Sequence, residues 1–165
     1  MIFLLILICL APSVTAEREA PSFVLPDLSG EMVRLEELLE DGPVVLDFWA
    51  TWCGPCVREL PRIQELQEEF VDSGVTFVGV CNDGPKTIAR VKPFVRGRKL
   101  TILILLDTDN EVMRRYKIAD LPYTCIIGRD GTVVYGHFGY KPGDEEELRA
   151  KLVEYLARRE EGEES

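Results

Sequence analysis

One stretch constrains this chain more than any other: Trp49-Ala50-Thr51-Trp52-Cys53-Gly54-Pro55-Cys56. It follows an apolar run, Val44-Val45-Leu46-Asp47-Phe48, and opens a helical pattern that begins Val57-Arg58-Glu59-Leu60. The residues therefore predict a buried strand that turns directly into a helix, with two thiols at the junction. Cys53 falls at the helix N-terminus, where unpaired backbone N–H groups and the helix dipole favour an anion. The thiolate is the nucleophilic form of cysteine, so this placement makes Cys53 the reactive thiol. Cys56, one turn further in, is near enough to close a disulfide with Cys53 and is less exposed. Attack by Cys53 on a substrate disulfide, followed by resolution through Cys56, is dithiol–disulfide exchange.

Two blander readings of the same cysteines are weak. A zinc site needs two further Cys or His ligands at suitable spacing, and the chain has one histidine, His137, and no second C-x-x-C. A purely structural disulfide across so short a loop contributes little closure entropy. Asp107-Thr108-Asp109-Asn110 has the look of a calcium loop but lacks its glycine and terminal acidic ligand, so Asp109 is expected to cap a helix instead. No metal is expected.

Residues 1–16 differ in kind from the rest. Ile2 to Leu10 is an unbroken apolar run, ended by Ala11-Pro12-Ser13, and it is too short for an ordinary membrane span. Val14-Thr15-Ala16 ends in a small residue and Glu17 begins polar sequence, the pattern of a cleaved signal peptide. No Lys or Arg precedes the run, which leaves a retained N-terminal anchor as the alternative. Ile8, before Cys9, is not the small residue that lipidation requires. Residues 20–157 are expected to form one domain, and 158–165 an acidic tail. The net charge of −10 argues against nucleic acid and anionic membrane surfaces as partners.

Along the domain, Pro21 to Leu35 predicts two short extended pieces around a Ser29-Gly30 turn, after a polar lead from Glu17 to Ala20. A short helical turn spans 36–40, and the strand Val44–Trp49 is apolar throughout except for Asp47. A carboxylate there is costly unless paired or protonated. A helix then runs from near Cys53 to Phe70, with Leu60, Ile63, Leu66 and Phe70 at helical spacing. A strand over 75–81, a helix over 86–96 interrupted near Pro93, an apolar run over 100–106 and a short helix over 111–117 follow. Strands are expected over 124–128 and 132–139, joined by the turn Arg129-Asp130-Gly131. The last helix is expected to start with Asp144 as its cap and Glu147 completing a capping box. Its buried stripe is Leu148, Leu152, Tyr155 and Leu156. His137 reads as a solvent-facing strand residue, and Cys81 and Cys125 as small buried hydrophobes.

The segment from Asp47 to Cys56 resembles the active-site segment of the thioredoxin superfamily nearly residue for residue, and Pro61 matches that family's active-site-helix proline. The pattern Ala20-Pro21-x-Phe23, Asp27-Leu28-x-Gly30 and Val33-x-Leu35 resembles the N-terminal hairpin of the TlpA/ResA-type exported thioredoxins, a group that includes cytochrome c maturation thioredoxins. The resemblance implies an α/β, thioredoxin-like fold: a central mixed sheet flanked by helices, with an added N-terminal β-hairpin. It implies a thiol–disulfide oxidoreductase, without a cofactor, acting on protein disulfides or dithiols. Cys53 would attack, Cys56 resolve and Asp47 move the proton, with Pro122 as the cis proline facing the cysteines. Trp52, Gly54, Pro55 and Leu121 would complete the substrate surface. The group's usual electron donor is a membrane thiol-transfer partner, its place is extracytoplasmic, and a monomer is expected. Gly54-Pro55 points to a reductant. The alternatives are a disulfide-forming oxidant or isomerase, and a non-catalytic module that binds a metal or a partner. A peroxidase fits less well, because Thr51 stands two rather than three residues before Cys53.

Overall fold

The computed structural model describes the backbone of residues 18–163 and side chains as far as Arg158; the expected signal peptide or anchor and the end of the acidic tail lie outside the described residues. Eight strands and five α-helices follow one another in the described residues: β1 (Arg18–Glu19), β2 (Val24–Pro26), β3 (Met32–Arg34), α1 (Leu35–Asp41), β4 (Val44–Trp49), α2 (Gly54–Glu69), β5 (Thr76–Cys81), α3 (Val91–Gly97), β6 (Leu103–Leu106), α4 (Glu111–Arg115), β7 (Tyr123–Ile127), β8 (Thr132–Phe138) and α5 (Asp144–Glu163). Six strands make one sheet in the order β1-β8-β7-β4-β5-β6, and β2 and β3 pair separately. β4, β5 and β6 are parallel, whereas β7 is antiparallel to β4 and β8 to β7. This is the thioredoxin-like arrangement with added N-terminal strands.

β4 sits at the centre because every one of its residues is buried, and a strand covered on both faces needs apolar side chains on both. Its alternation divides the core. Val44, Leu46 and Phe48 face one cluster, which also takes Phe23 and Leu25 of the hairpin region, Leu35 and Leu39 of α1, and Val112 of α4. Val45 and Trp49 face the other, built with Leu60, Ile63 and Leu66 of α2, Val91 and Val95 of α3, and Leu148 and Leu152 of α5. The period of two along the strand places Asp47 on this second face, with α2 and α5. The hairpin is thus face cover. Its turn is held by Asp27 Oδ1, which accepts the N–H groups of Ser29, Gly30 and Glu31 at 2.7, 2.8 and 3.0 Å, and Gly30 takes the positive φ of 99° that the turn needs.

Several local expectations change. The polar lead contains β1, which adds to β8 in the register Arg18↔Val133 and Glu19↔Thr132; two residues are too few for a periodic signal. The cap of α4 is chiefly Asp107, not Asp109: its carboxylate accepts the N–H groups of Val112 at 3.1 Å and Met113 at 2.9 Å, while Asp109 takes that of Glu111 at 3.2 Å. Asp107 reaches them because Asn110 adopts φ 57°, folding the chain back over the strand end. Pro93 lies in the first turn of α3, where its missing N–H leaves no carbonyl short of a donor. Asp144 is the first residue of α5 rather than its cap, and its Oδ2 accepts the Lys141 N–H at 2.7 Å. α5 itself continues through the acidic stretch to Glu163.

Candidate active site

Cys53 caps α2 in extended conformation (φ −84°, ψ 104°), and Pro55 occupies the first turn, where proline is pre-shaped for a helix start. The two cysteines are disulfide-bonded, with Cα atoms 5.3 Å apart. Cys53 Sγ accepts the Cys56 N–H at 3.2 Å, so the helix terminus directs a donor at the sulfur that would carry charge after reduction. Cys56 is fully buried and Cys53 is 5% exposed. Trp52 stands out at 60% exposure, Gly54 is exposed, and Pro55 and Leu121 are half-buried. Leu121 packs against the cluster that holds both cysteines. The Leu121–Pro122 peptide is cis, and the Pro122 carbonyl accepts the Gly139 N–H at 2.8 Å.

The loop before Cys53 is pinned from β5. Asp83, fully buried, accepts the Thr51 N–H at 2.7 Å and the Thr51 hydroxyl at 2.6 Å. The Cys81 thiol donates to the same carboxylate at 3.4 Å. Nearby, Asn82 Nδ2 donates to Asp107 and Asn110, each at 3.0 Å. Asp83 reads in the sequence as an ordinary loop acid at a strand end; the structure makes it the anchor of the Trp52–Cys53 turn.

Two acids lie on the face of the sheet that holds both cysteines. Asp47 is fully buried and Glu59 is 5% exposed, and both reach the Thr124 hydroxyl. That hydroxyl is 2.9 Å from Glu59 Oε1 and 3.4 Å from Asp47 Oδ1. The second oxygen of each acid is buried without a hydrogen-bond partner among the described residues. Burial raises the Asp47 carboxyl to about 7, against the pull of the Thr124 hydrogen bond. Burial raises Glu59 further, to about 9, and the neighbouring charge of Asp47 adds to it. Two carboxyls this close do not both ionise readily, so the pair holds a proton near neutral pH. The Thr124 hydroxyl, both donor and acceptor, links them.

Glu59 has no part in the sequence reading, since an acid next to Arg58 looks like a solvated helix face. A signal was present: Glu59 is three residues after Cys56 and four before Ile63, which puts it on the buried stripe of α2. His137 is also corrected. Its ring is half-buried, and Nε2–H donates to Asp144 Oδ2 at 3.1 Å, so the residue looks inward toward α5.

Cys81 and Cys125 are free and buried, and β4 lies between their strands. Burial pushes both thiols up, Cys125 to about 12. Cys125 faces the cluster opposite the one holding Cys53 and Cys56, away from the active-site face. Among the described residues, no three or more His, Cys, Asp or Glu side chains gather as metal ligands would.

The arrangement of a helix-capping cysteine, a buried partner and a proton-holding acid pair can carry out dithiol–disulfide exchange. Comparison with known proteins agrees. The AhpC/TSA family model matches residues 16–136. The chain is 34% identical over 139 residues to the thiol-disulfide oxidoreductase ResA of Bacillus thuringiensis subsp. konkukian, covering 84% of this chain and 75% of that one. It is 36% identical over 141 residues to the ResA of Halalkalibacterium halodurans, covering 86% and 77%. Among solved structures, a candidate thiol:disulfide interchange protein DsbE from Chlorobium tepidum superposes with a TM-score of 0.79 at 29% identity, over 85% of this chain and 96% of that one. The chain belongs to the AhpC/TSA family, among its thioredoxin-like thiol–disulfide oxidoreductases.

Proposed function

We propose that this enzyme is an extracytoplasmic reductant of protein disulfides. The Cys53 thiolate attacks a substrate disulfide, forming a mixed disulfide and releasing one substrate thiolate. The Cys56 thiol then gives its proton to the Asp47/Glu59 pair, and its sulfur bonds to Cys53 Sγ. The Cys53–substrate bond breaks, and two electrons have passed to the substrate. Trp52, Gly54, Pro55, Leu121 and Pro122 form the surface along which the substrate chain lies. The observation that carries this reading is the Cys53–Cys56 disulfide at the start of α2, with Cys53 Sγ accepting the Cys56 N–H; the buried acids Asp47 and Glu59, joined through Thr124, supply a proton acceptor on the same face of the sheet. A general base works best when its affinity is matched to the operating pH.

Gly54-Pro55 between the cysteines supports the reducing direction, and the substrate class is disulfides of apocytochrome c or of other extracytoplasmic proteins. Residues 1–16 would direct export or anchor the chain, and a membrane thiol-transfer protein would return the electrons. The enzyme would act as a monomer. The test is the reduction potential of the Cys53/Cys56 couple in a chain beginning at Glu17. A value around −270 mV supports the reductant, and one around −120 mV makes the protein an oxidant.

A further inference from the structure

The acid pair is cut off from solvent, with Asp47 fully buried and Glu59 5% exposed, so a proton arriving there needs a way out. Strand register supplies one. Asp47 on β4 stands opposite Thr124 on β7, and Thr124 stands opposite His137 on β8. Residues directly opposed in antiparallel strands share a face of the sheet. Asp47, Thr124 and His137 therefore form one polar row, running from the centre of the sheet toward its edge. Glu59 of α2 lies over the inner end of the row and Asp144 of α5 over the outer end.

The links at both ends are hydrogen bonds: Thr124 to Glu59 at 2.9 Å and to Asp47 at 3.4 Å, and His137 to Asp144 at 3.1 Å. Between them is a cavity of about 10 Å³, lined among others by Glu59, Thr124, Tyr135, His137, Tyr140 and Asp144. That volume is near the minimum for one water, and a bridging water needs polar partners. The lining supplies polar side chains, and one of them, Glu59, has its Oε2 buried without a partner among the described residues.

We propose that this row is the proton path of the exchange reaction, carrying the proton released by Cys56 from the acid pair through the cavity to His137, and from His137 to Asp144 and solvent. The proposal rests on Cys53/Cys56 being the exchanging couple and Asp47 the acceptor of the Cys56 proton. As Cys56 Sγ bonds to Cys53 Sγ and the Cys53–substrate bond breaks, the proton passes to the acid pair. His137 takes it on one ring nitrogen and gives the Nε2 proton to Asp144, which returns it to water, so no net charge is left in the row. When the disulfide is reduced again, the same path runs inward. The titratable and charged groups around His137 are Asp144 and Glu145 of α5, Glu59 and Arg62 of α2, Tyr135 two residues earlier on its own strand, and Tyr140 beyond it. Arg62 pairs with Glu65 and Glu145, which leaves Asp144 as the partner of the ring.

The test uses the whole chain and two variants, His137→Ala and Asp144→Asn, in exchange with glutathione disulfide. The rate is followed through the fluorescence of Trp52 and Trp49 from pH 5.5 to 9, in water and in deuterium oxide. Each variant is expected to slow the exchange about tenfold near pH 7, below the 10²–10⁴ of a direct acid–base group. The solvent isotope effect should rise, the potential should stay at the parent value, and added imidazole should restore His137→Ala. Parent-like rates, pH profile and isotope effect in both variants would overturn the path, as would lowered melting temperatures with an unchanged pH profile. Should His137→Ala fail to fold, Asp144→Asn keeps the ring in place and decides alone. Lack of exchange by the parent chain is a different result, which removes the underlying couple itself.

Discussion

Replacing Asp47 by Asn keeps the shape of the side chain and removes its charge, so it measures what the buried acid costs. The carboxyl moves from 3.8 in the unfolded chain to about 7 in the native one. The native state therefore binds more protons than the unfolded state between those values, and the contribution of Asp47 to stability falls as pH rises through that window. At about 1.36 kcal/mol per pH unit, the loss approaches roughly 4 kcal/mol at pH 8. Against this stands the Asn amide, whose buried N–H groups find only the Thr124 hydroxyl; an unsatisfied buried group costs about 1–3 kcal/mol. The variant is accordingly expected to be less stable than the parent at pH 4, to cross it between about pH 4.5 and 6, and to exceed it by about 1–3 kcal/mol at pH 8. For a chain of this size, that excess raises the melting temperature by roughly 2–12 °C. Glu59 steepens the curve further, because Asp47's charge is the second cause of its own raised value, and that slope should flatten in the variant. The assay is urea unfolding of the disulfide-bonded chain at intervals from pH 4 to 9. A difference independent of pH, or a variant less stable at pH 8, would refute the reasoning.

Two further outcomes follow from the surroundings of the site. With Cys81 and Cys125 buried and their thiols pushed up, iodoacetamide at pH 8 should label Cys53 first in a reduced native chain beginning at Glu17; mass spectrometry should find Cys81 and Cys125 modified only after unfolding. Asp83→Ala strips acceptors from the Thr51 N–H, the Thr51 hydroxyl and the Cys81 thiol. The loss of bonds to a charged group should cost about 2–4 kcal/mol and speed hydrogen exchange at the Thr51 amide, while Asp83→Asn, which keeps one carbonyl oxygen, should cost less.

The parts of this molecule that can be read from the sequence are those whose chemistry is local. Cys53, Gly54, Pro55 and Cys56 are adjacent, and the strand-to-helix switch around them shows as an unbroken apolar run giving way to a period of 3.6. β4 and α2 stand out for the same reason. Local signals fail where the partner is distant. Asp107 rather than Asp109 caps α4 because Asn110 turns the chain back, and no i-to-i+3 rule encodes that. The Cys125 strand is recognisable, yet the face its thiol occupies depends on a register that only the assembled sheet sets. β1 is too short to carry a pattern, and it forms because β8 offers it an edge.

The acid pair shows why such a site escapes periodicity. A helix face is assigned by counting charged residues outward and apolar ones inward, and a buried Glu violates that count at the position where it matters. Asp47 was visible because its strand is apolar on both sides, so a single acid there has no solvent face to occupy. Glu59 is harder to see: its spacing from Cys56 and Ile63 puts it on the buried stripe, but α2 also has a wet side on which an acid is unremarkable. A cost of up to about 4 kcal/mol for Asp47 alone is large beside a typical total of 5–15 kcal/mol, and the apolar packing of two core faces has to offset it. Thr124 ties the two acids together from a third strand, and in the same cross-strand row stands His137, the chain's one histidine. A polar row that runs across three strands has its members 77 and 13 residues apart along the chain. Its periodicity runs across the sheet, at right angles to anything a window along the sequence can see.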